Sequence, residues 1–106
     1  MKYYKLVDKE VVECNYFEWA EQLATKAGEV AMNIVGRYRV VTLFLGRNHQ
    51  FELGKPPLLF ETLIFNLDEE ELDDVYNRYS TYEEAEIGHQ YAVISTKLRN
   101  IMKEKN

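Results

Sequence analysis

Two histidines and two glutamates are the side chains best suited to chemistry in this sequence. His49 lies in the segment GRNHQF and His89 in EIGHQ, while Glu61 lies in LLFETLIF and Glu84 in STYEEAE. Imidazole nitrogens and carboxylate oxygens together suit zinc, iron or manganese. The histidines are far apart in sequence, and no HExxH or HxH pattern is present. The spacing therefore favours structural roles for both histidines over a metal site.

Glu61 is the one ionisable side chain in an otherwise apolar run, residues 58–65. A carboxylate on a central strand is costly to bury unless it is paired, hydrogen-bonded or protonated. Arg39, Arg47, His49 and the backbone amides of the loop before the strand are candidate partners. Glu61 either holds the loop GRNHQF to the sheet or accepts a hydrogen bond from a ligand, such as a ribose hydroxyl or an adenine amino group. The sequence leaves both interpretations open.

The net charge of −5 and the pI of about 5.0 exclude a broad electrostatic attraction to nucleic acid. Arg37, Arg39 and Arg47 nevertheless form a local basic segment. In a nucleotide site these arginines would meet phosphates, and Phe51 or a tyrosine would stack on a base. Asn48 or Glu61 would read the polar edges. The candidate ligand-binding residues are Arg39, Arg47, Asn48, His49, Phe51, Glu61 and His89.

Known catalytic signatures are missing from the sequence, which has no GxSxG, P-loop or GxGxxG motif. We therefore expect no cofactor and no catalytic residues. The single cysteine, Cys14, excludes an intramolecular disulfide and a CxxC metal motif, as is typical of the reducing cytoplasm. The charged N-terminus and the lack of a long apolar run predict a cytoplasmic protein without a membrane segment.

The helices and strands that position these residues are predicted to form one domain over residues 1–106. YYKLV and EVVEC predict an N-terminal β-hairpin. Asn15, with Glu18 three residues on, predicts a capping box for a helix through YFEWAEQLAT. The residues expected to face inward on this helix are Tyr16, Trp19, Ala20 and Leu23.

Three further strands and an acidic segment are predicted in the middle of the chain. EVAMNIV alternates Val30, Met32 and Ile34 with polar or small residues, which indicates a half-buried strand. RYRVVTLFL predicts the next strand, and LLFETLIF a central one. Six acidic residues between positions 68 and 74 favour a solvated loop over a cation site. NRYST is the last candidate, a short strand.

The final helix has two faces with different characters. Thr81 and Glu84 form a predicted capping box at its start. The apolar stripe is Ile87, Tyr91, Ile94, Leu98 and Ile101, and nearly opposite lies a small-residue face of Ala85, His89, Ala92 and Thr96. A monomer needs only one buried face, so we expect one face to cover the sheet and the other to meet a second copy. A homo-oligomer, with a dimer as the expected size, follows. The predicted fold class is α+β: an N-terminal β-hairpin, a helix, an antiparallel β-meander of three to four strands and a C-terminal helix packed on the sheet.

The segments VVTLFLGRNHQFELGKPPLLFETLIF and NRYSTYEEAEIGH resemble a family of small, uncharacterised proteins encoded by bacteriophages. The resemblance covers residues 40–65 and 78–89 and includes the pair Trp19-Ala20. His49, Glu61, Glu84 and His89 fall on its motif positions. The sequence departs from the family pattern at Leu63, where methionine is common, and at the acidic insert, which puts any carry-over to residues 66–77 in doubt.

The resemblance implies a phage accessory protein that acts by binding in the host cytoplasm, in host takeover or defence evasion. The expected target is a small nucleotide signal or a host protein. One alternative is a metal-dependent hydrolase that uses His49, His89, Glu61 and Glu84. The other is a protein-binding adaptor that uses the C-terminal helix.

Overall fold

The computed structural model describes residues 2–25 and 28–104, and its elements follow the predicted α+β order. Strands β1 (Tyr3–Val7) and β2 (Glu10–Cys14) form a hairpin that leads into helix α1 (Tyr16–Ala24). Strands β3 (Glu29–Val35), β4 (Tyr38–Phe44), β5 (Phe60–Asn66) and β6 (Glu71–Tyr79) form an antiparallel sheet in sequential order. Helix α2 (Tyr82–Glu104) follows and packs on one face of this sheet. The predicted hairpin, helix, meander and C-terminal helix are confirmed.

Local sequence signals account for the ends of several elements. Asp8 and Lys9 both have positive φ, the backbone conformation that a two-residue hairpin turn with the right twist requires. The Asn15 side-chain oxygen accepts a hydrogen bond from the amide of Glu18, and the Glu18 carboxylate accepts one from the Asn15 amide. Thr81 starts α2 by the same reciprocal pattern with Glu84. Both predicted capping boxes are therefore present.

The core lies between the sheet and α2 because alternate residues of each strand point to that side. On β4 and β5 the even-numbered residues face α2 and the odd-numbered residues face away. Two apolar clusters result: Val35, Tyr38, Val40, Ile64 and Ala92 at one end, and Phe44, Leu59, Phe60, Tyr79 and Ala85 at the other. The small face of α2 is the buried one, since Ala85, His89, Ala92 and Thr96 are all buried. Small side chains let the helix approach the strands closely.

The hairpin and α1 attach to the end of the sheet where β4 stops. The Tyr4 amide donates to the Gly46 carbonyl at 2.9 Å, and the Trp19 indole donates to the Leu45 carbonyl at 2.9 Å. Gln22 on α1 exchanges two hydrogen bonds with the backbone of Leu6. Gly46 has a positive φ, and a side chain there would overlap the Trp19 ring. The junction therefore requires glycine at position 46, because the backbone φ is positive and there is no room for a side chain.

Two local predictions were wrong. Tyr16 and Leu23 are 52% and 56% exposed, because α1 contacts the rest of the molecule mainly through Trp19 and Gln22. The segment predicted as an acidic loop is largely strand: β6 spans Glu71–Tyr79, and only the turn before it is loop. The predicted last strand NRYST is confirmed at Asn77, Arg78 and Tyr79, but the strand begins earlier, at Glu71. Pairing with β5 outweighs the mutual repulsion of the acidic residues.

Neither helix in the described ranges has an apolar stretch sufficient to cross a lipid bilayer.

Candidate functional site

A chain of polar side chains lies between the two apolar clusters of the core. The Nδ1 atom of His89 is 2.7 Å from the hydroxyl of Thr42, which is itself 2.5 Å from the hydroxyl of Thr62. Tyr79 donates its hydroxyl hydrogen to Thr62 at 3.1 Å. The Nε2 atom of His89 lies 2.7 Å from the side-chain oxygen of Asn33 on β3. The cluster connects α2 to all four strands of the sheet.

This cluster has a structural role, because both ring nitrogens of His89 already have hydrogen-bonding partners. Burial lowers the pKa of His89 from its usual value of 6.5, so the imidazole is neutral at pH 7. Burial also raises the pKa of Tyr79. Gly88 permits the packing, since a side chain at that position would overlap the Tyr79 ring. His89 therefore has no free ring nitrogen with which to bind a ligand, the role that the sequence predicted for it.

Glu61 lies on the opposite side of the sheet and pairs with Arg78. Its Oε2 atom is 3.0 Å from Nε of Arg78, the residue directly across on β6. The predicted partners Arg39, Arg47 and His49 were therefore wrong, and so was the predicted link from Glu61 to the loop. The cross-strand guanidinium of Arg78 offsets the cost of burying the Glu61 carboxylate, because the ion pair stabilises the charged form of that carboxylate.

The loop between β4 and β5 is organised by Asn48. Its side-chain oxygen accepts hydrogen bonds from the amides of Gln50 and Leu58, at 2.8 and 3.0 Å. His49 joins the loop through its backbone amide, which donates to the Leu58 carbonyl. Within the described residues no hydrogen bond to the His49 imidazole occurs. Phe51 is 90% exposed at the loop surface. Asn48 thus holds the loop in the way that was expected of Glu61.

The three arginines of the predicted phosphate site are separated. Arg37 lies in the β3–β4 turn and is 4.0 Å from Asp68. Arg47 follows the other end of β4, where its guanidinium lies 5.8 Å from the centre of the Trp19 ring. A seven-residue strand is about 20 Å long, so these two side chains start from opposite ends of the sheet. The structure does not bring the arginines together.

The four residues of the alternative metal site also lie apart. His89 is in the core between sheet and helix, whereas Glu61 is on the other side of the sheet. Glu84 is committed to the capping box of α2, and His49 lies in the β4–β5 loop. No group of three or more histidine, cysteine, aspartate or glutamate side chains in residues 2–25 and 28–104 is placed to hold a metal ion.

The side of the sheet away from α2 carries an apolar surface, which we call the open sheet face. Its central cross-strand row is Met32, Val41, Leu63 and Val75, and the next row is Ile34, Arg39, Phe65 and Leu72. Leu43 extends it on β4. The edge-strand residues of these rows are between 39% and 56% exposed. Met32 and Ile34, expected to lie on the buried side of their strand, belong to this surface.

Two depressions lie on or beside the open sheet face. A depression of about 520 Å³ lies over Val41, Leu43 and Phe65, with Arg39 among its lining residues. A second cavity of about 290 Å³ lies where α1 meets the end of β4, between Trp19 and Leu43. Arg39 has no ion pair with any other described residue. The lining of the larger depression also includes Glu29, Glu70 and Glu71, so the charged groups at its rim are of both signs.

The outer side of α2 carries a second apolar surface, which we call the helix stripe. It consists of Ile87, Tyr91, Ile94, Leu98 and Ile101, each between 47% and 63% exposed. These are the residues that the sequence assigned to one apolar face of the final helix. Because the small face of α2 covers the sheet, the helix stripe points away from it. The two apolar surfaces therefore lie on opposite sides of a two-layer structure.

Sequence reasoning missed the polar core and the partner of Glu61. Thr42, Thr62 and Asn33 fall on the α2-facing side of their strands, where neighbouring positions are mostly apolar. A threonine in the same place on two adjacent strands was the available signal. The pairing of Arg78 with Glu61 depends on the register between β5 and β6. This register could not be predicted, because the first part of β6 was interpreted as an acidic loop.

Comparisons with family models, with curated proteins and with solved structures give no match for this chain.

Proposed function

We propose that this chain is a non-enzymatic binding protein that forms a homodimer through the helix stripe and captures a protein target on the open sheet face. One observation supports this: a two-layer structure with an uncovered apolar surface on each side. Contiguous apolar surfaces of this kind are typical of protein interaction sites. Two surfaces on opposite sides allow self-association and target binding at the same time.

Binding is favoured over turnover because the polar groups of the core are used structurally. Both nitrogens of His89 are hydrogen-bonded, and Glu61 is paired with Arg78. A protein target is favoured over a nucleotide because Arg37 and Arg47 lie at opposite ends of β4. The resemblance to bacteriophage-encoded proteins implies that the target belongs to a host cell, in takeover or defence evasion. That origin and that role stay predictions.

Self-association is tested by light scattering and sedimentation at micromolar concentration. We expect twice the chain mass of 12.6 kDa for the wild type and a single chain for Ile94→Lys. The matched control is Ser95→Lys, which adds the same charge to the next exposed residue, off the helix stripe. A monomeric wild type, or a dimer that persists in Ile94→Lys, contradicts an interface on the helix stripe.

Target capture is tested with two lysine variants of β6. Leu72→Lys places a charge on the open sheet face, whereas Asn77→Lys places it at an exposed position that pairs with Thr62 on the side of α2. A host protein retained by the wild type and by Asn77→Lys, but not by Leu72→Lys, is identified by mass spectrometry. The purified target must then bind the wild type and Asn77→Lys more tightly than it binds Leu72→Lys. Equal binding by both variants excludes the open sheet face as the site.

A further inference from the structure

Strand β3 is an edge of the four-stranded sheet, and hydrogen bonds at the end of β4 show which of its backbone groups point outward. The Phe44 amide donates to the Gly28 carbonyl, on the β3 side of β4. The Leu45 amide donates to the Leu59 carbonyl, on the β5 side. Backbone groups alternate in direction along an antiparallel strand. The even-numbered residues of β4 therefore form the hydrogen bonds to β3.

The outward groups on β3 belong to Met32 and Ile34. Asn33 lies opposite Val40, an even-numbered residue of β4, so the backbone groups of Asn33 point towards β4. The amide and carbonyl groups of Met32 and Ile34 then point away from the sheet. No residue in the ranges 2–25 and 28–104 forms a hydrogen bond with them. A row of such groups is satisfied by the backbone of another extended strand.

The two edges of the sheet differ in their protection against pairing with another strand. At the β6 edge, the segment 71–74 carries three acidic residues, and the register against β5 shifts twice. Charges and bulges of this kind keep edge strands from pairing. At the β3 edge, residues 30–35 include no charged residue and no proline, and the one register shift lies at the start of the strand. Met32, Asn33 and Ile34 are all exposed, so β3 is open to a further strand.

A second β3 fits this edge in an antiparallel, two-fold register centred on Asn33. Residues with outward backbone groups must face each other, so Met32 lies opposite Ile34 of the second copy, and Ile34 opposite its Met32. Each of these pairs exchanges two hydrogen bonds. The neighbouring registers are less favourable. With Met32 opposite itself, Ile34 meets Val30 at the register shift, and with Ile34 opposite itself, Met32 meets Gly36 in the turn.

The charges at the two ends of β3 complement each other in this arrangement. Glu29 begins the strand, and Arg37 lies in the turn that follows it. Antiparallel pairing brings Glu29 of each copy to the end of the strand that carries Arg37 of the other. The Arg37 guanidinium has several N–H donors, so its exposed 4.0 Å contact with Asp68 leaves donors for a second carboxylate. Two copies therefore meet without like charges along the edge.

We infer that the β3 edges of two copies pair antiparallel about a two-fold axis at Asn33, so that the two four-stranded sheets become one sheet of eight strands. Met32 and Ile34 belong to the open sheet face, so this pairing joins the open sheet faces of both copies into one continuous apolar surface. The contact goes beyond the proposed function and does not use the helix stripe. It buries little surface, which is typical of weak association, and we expect it above the micromolar range.

Disulfide cross-linking tests the register. In a Cys14→Ser background, Met32, Asn33 and Ile34 are replaced by cysteine one at a time, and each chain is oxidised at millimolar concentration. We expect a linked dimer from Asn33→Cys, because directly opposite residues without mutual hydrogen bonds have Cα atoms about 4.5 Å apart, within disulfide reach. Met32→Cys and Ile34→Cys are the matched controls, since their counterparts lie diagonally, at about 7–8 Å. Circular dichroism checks that each chain folds, because Asn33→Cys also removes the contact with His89.

A proline variant tests whether the backbone of the edge makes the contact. Ile34→Pro removes an outward N–H group and keeps the hydrogen bonds of β3 to β4, a position at which edge strands tolerate proline. Ile34→Ala is the matched control, because it shortens the same side chain and keeps the N–H group. Both are made in Ile94→Lys, which removes the helix-stripe contact, and sedimentation is followed from micromolar to millimolar concentration. We expect Ile34→Pro to raise the Kd about tenfold or more and Ile34→Ala to leave it nearly unchanged.

The outcomes distinguish this inference from the proposed function. A folded Ile94→Lys chain that stays single at millimolar concentration, or a dimer that Ile34→Pro does not weaken, overturns the pairing of β3 edges. Equal cross-linking at the three positions, or a main product from Met32→Cys or Ile34→Cys, overturns the register centred on Asn33. The helix-stripe homodimer is tested separately, by the wild type at micromolar concentration. A dominant Asn33→Cys product together with the loss of association in Ile34→Pro supports the inferred arrangement.

Discussion

The Nδ1 atom of His89 lies 2.7 Å from the hydroxyl of Thr42, and this contact joins the buried face of α2 to the centre of the sheet. The contact lies where two apolar clusters meet, so it fixes the position of the helix along the strands. A buried polar contact of this kind stabilises the fold only if every polar group around it has a hydrogen-bonding partner. The first two predictions test this requirement.

Removing the Thr42 hydroxyl should destabilise the protein more than removing a buried hydroxyl outside the cluster. Thr42→Val leaves His89 and Thr62 each without one partner, which costs about 1–3 kcal/mol for an unsatisfied buried group. Thr96→Val is the matched control, because within the described residues the Thr96 hydroxyl bonds only to the Ala92 carbonyl one turn earlier. Urea denaturation should give the larger loss for Thr42→Val. Equal losses would mean that the cluster adds nothing beyond local bonds.

The stability of the protein should fall as the pH drops below 6.5. Burial lowers the pKa of His89 in the folded state, so the unfolded chain takes up its proton first, and lowering the pH favours unfolding. The contribution of the neutral imidazole is complete above the unfolded pKa of 6.5 and is lost below it. We therefore expect the stability advantage of the wild type over His89→Gln to shrink from pH 7.5 to pH 5.5 in chemical denaturation. An advantage independent of pH would show that His89 does not titrate differently in the two states.

The Glu61–Arg78 pair should respond asymmetrically to loss of either charge. The Glu61 side chain is 12% exposed and that of Arg78 37% exposed. Arg78→Gln leaves a nearly buried carboxylate without its cation, whereas Glu61→Gln leaves a guanidinium that can turn towards water. We expect a loss of about 1–3 kcal/mol for Arg78→Gln and less for Glu61→Gln. Thermal unfolding of both variants and of the double variant measures the difference, and a larger loss for Glu61→Gln would contradict it.

Gly46→Ala should detach the hairpin and α1 from the end of the sheet. Gly46 has a φ of +71, and an alanine Cβ there would overlap the Trp19 ring and the Tyr4 carbonyl. Gly54→Ala is the matched control, because Gly54 has a similar φ of +79 but open space around it. Both variants bear the backbone cost of about 1–2 kcal/mol, and only Gly46→Ala bears the overlap as well. Fluorescence of Trp19, the single tryptophan, should shift to longer wavelength in Gly46→Ala only.

Much of the architecture was predictable because it follows from local patterns. The hairpin strands, both capping boxes and β3 agree with the structure, since each depends on residues within a few positions of one another. The failures involve contacts between distant segments. The acidic first part of β6 was predicted as a loop because its carboxylates repel one another locally, and only pairing with β5 makes a strand there favourable.

The candidate site was predictable only in part. The helix stripe is a property of the sequence alone, because helical periodicity places its five residues on one side of α2. Which side faces the sheet was not decided by periodicity. Ala85 and Ala92 are fully buried against the sheet, and a side chain at Gly88 would overlap the Tyr79 ring. The more apolar helix stripe therefore faces away from the sheet.

The sequence by itself determined the α+β order, the starts of both helices and the presence of two distinct faces on the final helix. Only the tertiary structure decided the partners of the polar residues: Arg78 for Glu61, Thr42 and Asn33 for His89, and Asn48 rather than Glu61 for the loop. The reason is physical. Helix periodicity and capping act over at most a few residues, whereas the register of a sheet sets which side chains meet across tens of residues, and a one-residue change in register moves each side chain to the other face.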